Sequence, residues 1–213
     1  MGGLIDLSFM KKQADSQKQE PPKAQAAIAP DDEARLKLYR IIIERYREEI
    51  EGHESKSVSD LKGLVQPRSE TILSIRDSIL ETFRPYVYAE HFLQAAKMCF
   101  SYVSSFKPVS APVSFWLSFS EMKELMAGDE IDKSILLCSL VRSIGSESAK
   151  IFVTDSKASY VVFEDKGVHY FADHSKPGLL EAKGWQECLA LMRGKPIYAF
   201  SDKEYEDFAE EPE

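Results

Sequence analysis

Apolar residues recur at helical three-and-four spacing through the first two thirds of the chain, then give way to short β-branched and aromatic runs. From Asp31 and Asp32, the residues Leu36, Tyr39, Ile43, Tyr46 and Ile50 share one predicted helical face, which Gly52 ends. A short apolar piece around Leu61 to Val65 stops at Pro67. Ser69 then offers an N-cap to a helix carrying Ile72, Ile75, Ile79 and Phe83, interrupted at Pro85. Over 87–106, Phe92, Ala96, Cys99, Val103 and Phe106 fall on one stripe, which places Cys99 in a core as an inert thiol. A Pro/Ser-rich loop spans 107–117, and Ser118 or Ser120 opens a short helix through Met126. Asp129 caps the next helix, with Asp132 three positions on in a box-like relation. Ile131, Ile135 and Cys138 line one side of it, while Leu136, Leu137, Leu140 and Ile144 cover most of the rest. A helix apolar on nearly all sides belongs at the centre of a fold.

The runs 149–155, 158–164 and 168–173 read as strands, and the turn Asp165-Lys166-Gly167 makes a hairpin of the last two. A helix near 184–193 and a strand at 196–202 complete the body. Helices followed by a small antiparallel sheet define an α+β class.

The segment 11–30 is polar and rich in Gln, Ala, Lys and Pro, and no face of it can repay ordering by burial, so it reads as a flexible linker. The expected organisation is a flexible segment 1–30, a body at 31–205 and an acidic tail at 206–213. Ahead of the linker, Leu4, Ile5, Leu7, Phe9 and Met10 form a short apolar motif at 4–10 of the kind that folds into a partner's groove. The competing reading is an apolar end that packs on its own body.

Among the 213 residues, Lys and Arg number 27 against 35 Asp and Glu, a net charge of −8. Nucleic acid is therefore not the expected partner, since phosphate binding needs clustered positive charge. No apolar run approaches the length of a membrane span. The first residues lack a signal-peptide pattern, and Asp6 stands where myristoylation wants Ser or Thr. Three widely spaced cysteines favour neither a disulfide frame nor a zinc site. The expectation is a cytoplasmic protein without metal or cofactor.

The stretch GDEIDKSILLCSLVRSIG at 128–145, followed by KASYVVFEDKGVHYFADHS at 157–175, resembles the transglutaminase-like superfamily, which has the papain-like cysteine-protease fold. The resemblance implies a nucleophilic Cys at the start of the central helix, a His on the next strand and an Asp on its neighbour. Here Glu130 occupies the Cys position. The His position falls on Ala158, or on Ser159 if the register slips by one, and Asp173 matches the family Asp. A hairpin that pairs Glu164 with Val168 sets Ser159 opposite Asp173, and a tighter turn sets Ala158 there.

Acyl transfer in that family needs a thiolate stabilised by a helix start and an imidazolium. A carboxylate at 130 suits the helix dipole but attacks amides poorly, and no imidazole maps beside it. A plainer reading of Glu130 is a favourable first-turn residue. Cys138 is the most plausible relocated nucleophile, although it lies about 80° around and ~12 Å along the helix from Glu130, within an apolar run. Cys188 follows Trp185 in another helix. His169 shares a strand face with Asp173 but sits ~13 Å from it, His174 points to the opposite face, and His53 and His91 read as solvated.

The resulting expectation is a catalytically inactive transglutaminase-like domain that binds a protein or peptide. It would do so through the cleft near Trp116, Glu130, Tyr160 and Asp173, through the motif with Leu4, Ile5, Leu7 and Phe9, or through both. The alternatives are a cysteine hydrolase or acyltransferase using Cys138, a hydrolase using Glu130 with Asp173, and an unrelated helical scaffold.

Overall fold

A computed structural model describes residues 30–49, 58–109 and 116–208. The N-terminal motif Leu4, Ile5, Leu7 and Phe9 lies outside them. Helix α1 (Pro30–Glu49) is followed by α2 (Val58–Leu64), α3 (Glu70–Leu80) and α4 (Tyr88–Ser104). Two short parallel bridges, β1 (Lys107–Pro108) and β2 (Ala127–Gly128), flank α5 (Phe119–Leu125), and α6 (Glu130–Ser143) follows. Strands β3 (Lys150–Thr154), β4 (Ser159–Asp165), β5 (Val168–Ala172) and β6 (Leu180–Ala182) then lead to α7 (Trp185–Leu191), β7 (Pro196–Phe200) and β8 (Tyr205–Asp207). The fold is α+β, as the order of hydrophobic patterns implies. The body runs on to β8, which takes in Glu206 and Asp207, residues the sequence assigned to the tail.

Six strands form one antiparallel sheet in the order β6-β5-β4-β3-β7-β8. Strand alternation splits its side chains between two cores. Val161, Phe163, Tyr170 and Ala172 face α3, α4 and α6 in the larger core. Ala158, Tyr160, Val162 and Phe171 face α7 in the smaller one. Helix α6 is central, with every residue from Ile131 to Arg142 buried.

Helix α1 departs from its expected face. Leu38 and Ile42 are the buried residues, packed with Val109, Leu117 and Leu125, whereas Leu36 and Tyr39 are exposed at 45% and 43%. Apolar residues on several sides of this helix leave its periodicity unable to choose the docking stripe.

The hairpin register also differs from both expected ones. Asp165 pairs with Val168 and Glu164 with His169, so the turn contains only Lys166 and Gly167. Both have positive φ, 52° and 78°, the signature of a type I′ turn that matches strand twist. Carried one pair past the ladder's last partner, Ala172, this register sets Tyr160 opposite Asp173. Ser159 then falls opposite His174.

Candidate functional site at the start of helix α6

Three local devices fix where α6 begins. Asp129 Oδ1 accepts from the Asp132 amide at 2.9 Å, and Asp132 Oδ2 accepts from the Asp129 amide at 3.4 Å, closing the capping box. The β1–β2 bridge and the Val109 amide, which donates to Gly128 O at 3.2 Å, anchor the preceding backbone. Lys133, buried one turn in, donates from Nζ to Phe106 O beyond the end of α4 at 2.5 Å. Burial holds its ammonium below the usual lysine pKa.

Glu130 thereby projects from the first turn toward β4. Its Oε1 accepts from the Ser159 amide at 3.4 Å and lies 3.6 Å from Arg193 Nη2. Burial raises its pKa, and the Ser159 amide and Arg193 partly oppose that rise. One turn along, Ser134 Oγ sits 3.0 Å from Ser159 Oγ in full burial, and also donates to Glu130 O at 3.0 Å. Of the two candidates for the base position, only Ser159 faces α6. Ala158 packs on the α7 side with Tyr160 and Phe171.

Arg193 was not singled out in the sequence, where it sits in a loop with no periodicity. A clamp holds it in place. Ser156 Oγ donates to Arg193 O at 2.7 Å, and Asp155 exchanges backbone and side-chain bonds with Lys195. Gly194 makes this close approach possible: its φ is +83°, and a Cβ there would lie 2.1 Å from Asp155 Oδ1. Tyr160 Oη, reaching from the outer side of the sheet, accepts from the Arg193 amide at 3.0 Å and from Nε at 3.4 Å. A neighbouring Arg-Gly-Lys-Pro turn before a strand was the one available clue.

The remaining expected members do not converge on Glu130. Asp173 is buried, and its Oδ1 accepts from the Ser175 amide at 2.8 Å and Ser175 Oγ at 2.6 Å. It therefore turns its carboxylate onto its own loop, and acts on Glu130 and Arg193 only through its charge. The expected pairing of the base position with Asp173 is not made, because the type I′ turn shifts the register. Trp116 lines a separate cavity of about 210 Å³ with Arg45, Gln66, Asp132 and Ile135, on the other flank of α6. Arg45 Nη1 donates to Trp116 O at 3.0 Å there.

Among the described residues, the three thiols are buried and two of the imidazoles are packed against aromatic rings. Cys138 is fully buried, donates to Ala149 O at 3.6 Å, and burial pushes its pKa up to about 12. Burial pushes Cys99 up to about 12 as well and raises Cys188. His91 is half-buried rather than solvated: it stacks on Phe83, and its Nδ1 accepts from the Val87 amide at 3.0 Å. His174 stacks on Phe100, and both its ring nitrogens are shielded from solvent without a hydrogen-bond partner among the described residues. Burial, with Lys133 nearby, lowers its pKa to about 4.

No family model and no curated protein matches the chain. Its structure is similar to that of calcium-bound LapG from Legionella pneumophila, with a TM-score of 0.44 and 15% identity, covering 65% of this chain and 90% of that one.

Proposed function

We propose that the chain is a catalytically inactive transglutaminase-like domain whose cleft at the start of α6 binds a protein or peptide. The contact between Glu130 and Ser159 carries this reading. The helix start and the central strand meet as a nucleophile and base would, but with a carboxylate and a serine in their places. Glu130 attacks amides weakly, and its contacts are an amide and a guanidinium, neither of which can take a proton from a nucleophile. Among the described residues His174 has no hydrogen-bond partner through either nitrogen, and burial lowers its pKa to about 4, which disfavours the charged form at neutral pH.

The same groups suit recognition. Arg193 presents a guanidinium that is 63% exposed beside a carboxylate that is 40% exposed. A peptide can meet both signs of charge there without displacing buried structure. The motif with Leu4, Ile5, Leu7 and Phe9 is a second proposed point of contact. Against the Cys138 reading stand the burial and raised pKa of that thiol, which leave almost no thiolate at neutral pH. The Glu130–Asp173 hydrolase would need both carboxylates on one substrate, and Asp173 is engaged by Ser175. The six-stranded sheet is incompatible with a purely helical scaffold.

Selection of displayed peptides on the full chain tests the proposal. A selected peptide should lose about tenfold in affinity with Glu130→Ala or Arg193→Ala, as expected for a charge-assisted contact. Peptides that bind both variants as tightly as the parent would overturn it.

A further inference from the structure

Among the described residues, the outer face of the sheet is only partly covered. Helix α7 has seven residues, and Cys188 and Met192 close the part over Tyr160 and Phe171. Beyond Trp185, a cavity of about 450 Å³ opens over β3, β4 and β8. Phe152 and Val162 form its floor, both buried. Trp185 and Phe208 are its walls, with ring centroids 4.7 Å and 6.1 Å from that of Phe152.

The rim has the opposite character. Glu147, Glu164, Glu204 and Glu206 line the cavity, and Lys150 is the single lysine or arginine among the lining residues. Its Nζ bridges Glu204 at 2.6 Å and Glu206 at 2.5 Å, so the lining keeps an excess of three negative charges. His169, paired across the ladder with Glu164, adds a shielded Nδ1 with no hydrogen-bond partner among the described residues.

Aromatic walls under a carboxylate rim select among ligand classes. An anion is repelled, a neutral apolar group would strand the carboxylates, and a bare metal ion gains little from the rings. An alkylammonium satisfies both layers, laying its methylene stem on the rings and its head on the carboxylates. Lys150 already places its ammonium on Glu204 and Glu206 within the chain. We propose that this cavity binds the lysine side chain of a basic peptide segment. The peptide source follows from position: among the described residues β8 is an edge strand of the sheet, so an extended segment can run beside it and drop one side chain into the cavity. The site shares no residue with the cleft at Glu130 and does not depend on its function.

The test is an NMR titration of the full chain with the capped peptide Gly-Gly-Lys-Gly-Gly, its acetyl-lysine counterpart, and tetramethylammonium chloride. The lysine peptide should shift the Trp185 indole and the His169 resonances, and acetylation should weaken it by about tenfold. Joint Glu147→Gln and Glu164→Gln substitutions change exposed side chains and leave the fold intact, yet should weaken the lysine peptide about fivefold. Trp185→Ala should abolish the shifts at His169. Equal binding of the acetylated peptide, or an absence of shifts at Trp185, would overturn the cation site. Tetramethylammonium binding as tightly as the peptide would overturn the peptide assignment.

Discussion

The two ends of α6 each carry an ion pair, and they are built in opposite ways. At the C-terminal end Arg142 is buried. Its Nη1 donates to Glu147 O at 3.1 Å and Ala149 O at 3.0 Å, while its Nε pairs with Asp202. That guanidinium ties the helix to the β3 entry and the β7–β8 turn and leaves nothing for a visitor. At the N-terminal end the Glu130–Arg193 pair spans 3.6 Å, and both side chains are more than a third exposed. One end spends its charge on the fold. The other holds its charge at the surface, where the proposed peptide would meet it.

The largest expected effect is at the closed end. Arg142→Ala removes a buried cation, takes a donor from the Glu147 and Ala149 carbonyls and leaves Asp202 without its guanidinium, so stability should fall by about 3 kcal/mol in urea unfolding. A loss under ~1 kcal/mol would mean that the closed end is not sealed as described.

Next in size is an acid limb from His174. Its folded pKa of about 4 lies below the ordinary 6.5, so the unfolded chain binds the extra proton. Its contribution is complete above pH 6.5 and is lost as pH falls toward 4, a change on the order of 3 kcal/mol. Lys133 and Asp173 are the charged groups acting on it. His174→Phe, which keeps the stacking on Phe100, should flatten stability over that window. An unchanged slope would place the acid limb elsewhere.

Gly194→Ala forces a side chain into a left-handed backbone position and against Asp155, and should cost about 2 kcal/mol in thermal unfolding. It should also weaken a cleft peptide by releasing Arg193. The smallest expected effect sharpens the comparison most. Glu130→Ala and Arg193→Ala should each change stability by less than ~0.5 kcal/mol, because an exposed pair contributes little. The raised pKa of Glu130 sets the sign of its own pH effect: the folded state favours the protonated form, so stability declines as pH rises just above the ordinary carboxylate pKa. Glu130→Gln should remove that decline.

The N-terminal cap and the core of α6 were legible in the sequence because their signals are local. Asp129, Asp132 and an apolar circumference specify a capped, central helix without reference to the rest of the chain. What was illegible depended on distant partners. Leu36 and Tyr39 looked like a core stripe until the packing of α5 selected Leu38 and Ile42. Asp165 looked like a turn residue because Asp favours turns, but positive φ at Lys166 moved the turn one residue on and withdrew Ser159 from Asp173. Arg193 meets Glu130 only because β7 pairs with β3 and brings its loop beside the strand ends, a long-range fact that no residue spacing carries.

The central claim, that the cleft binds and does not catalyse, is tested most directly by labelling the native chain with limiting iodoacetamide near pH 6 and mapping the modified peptides. Cys99, Cys138 and Cys188 are all buried, so all three should stay unlabelled until the protein is unfolded. One thiol reacting at least about tenfold faster in the native chain than in the unfolded control would contradict the account and identify a working nucleophile.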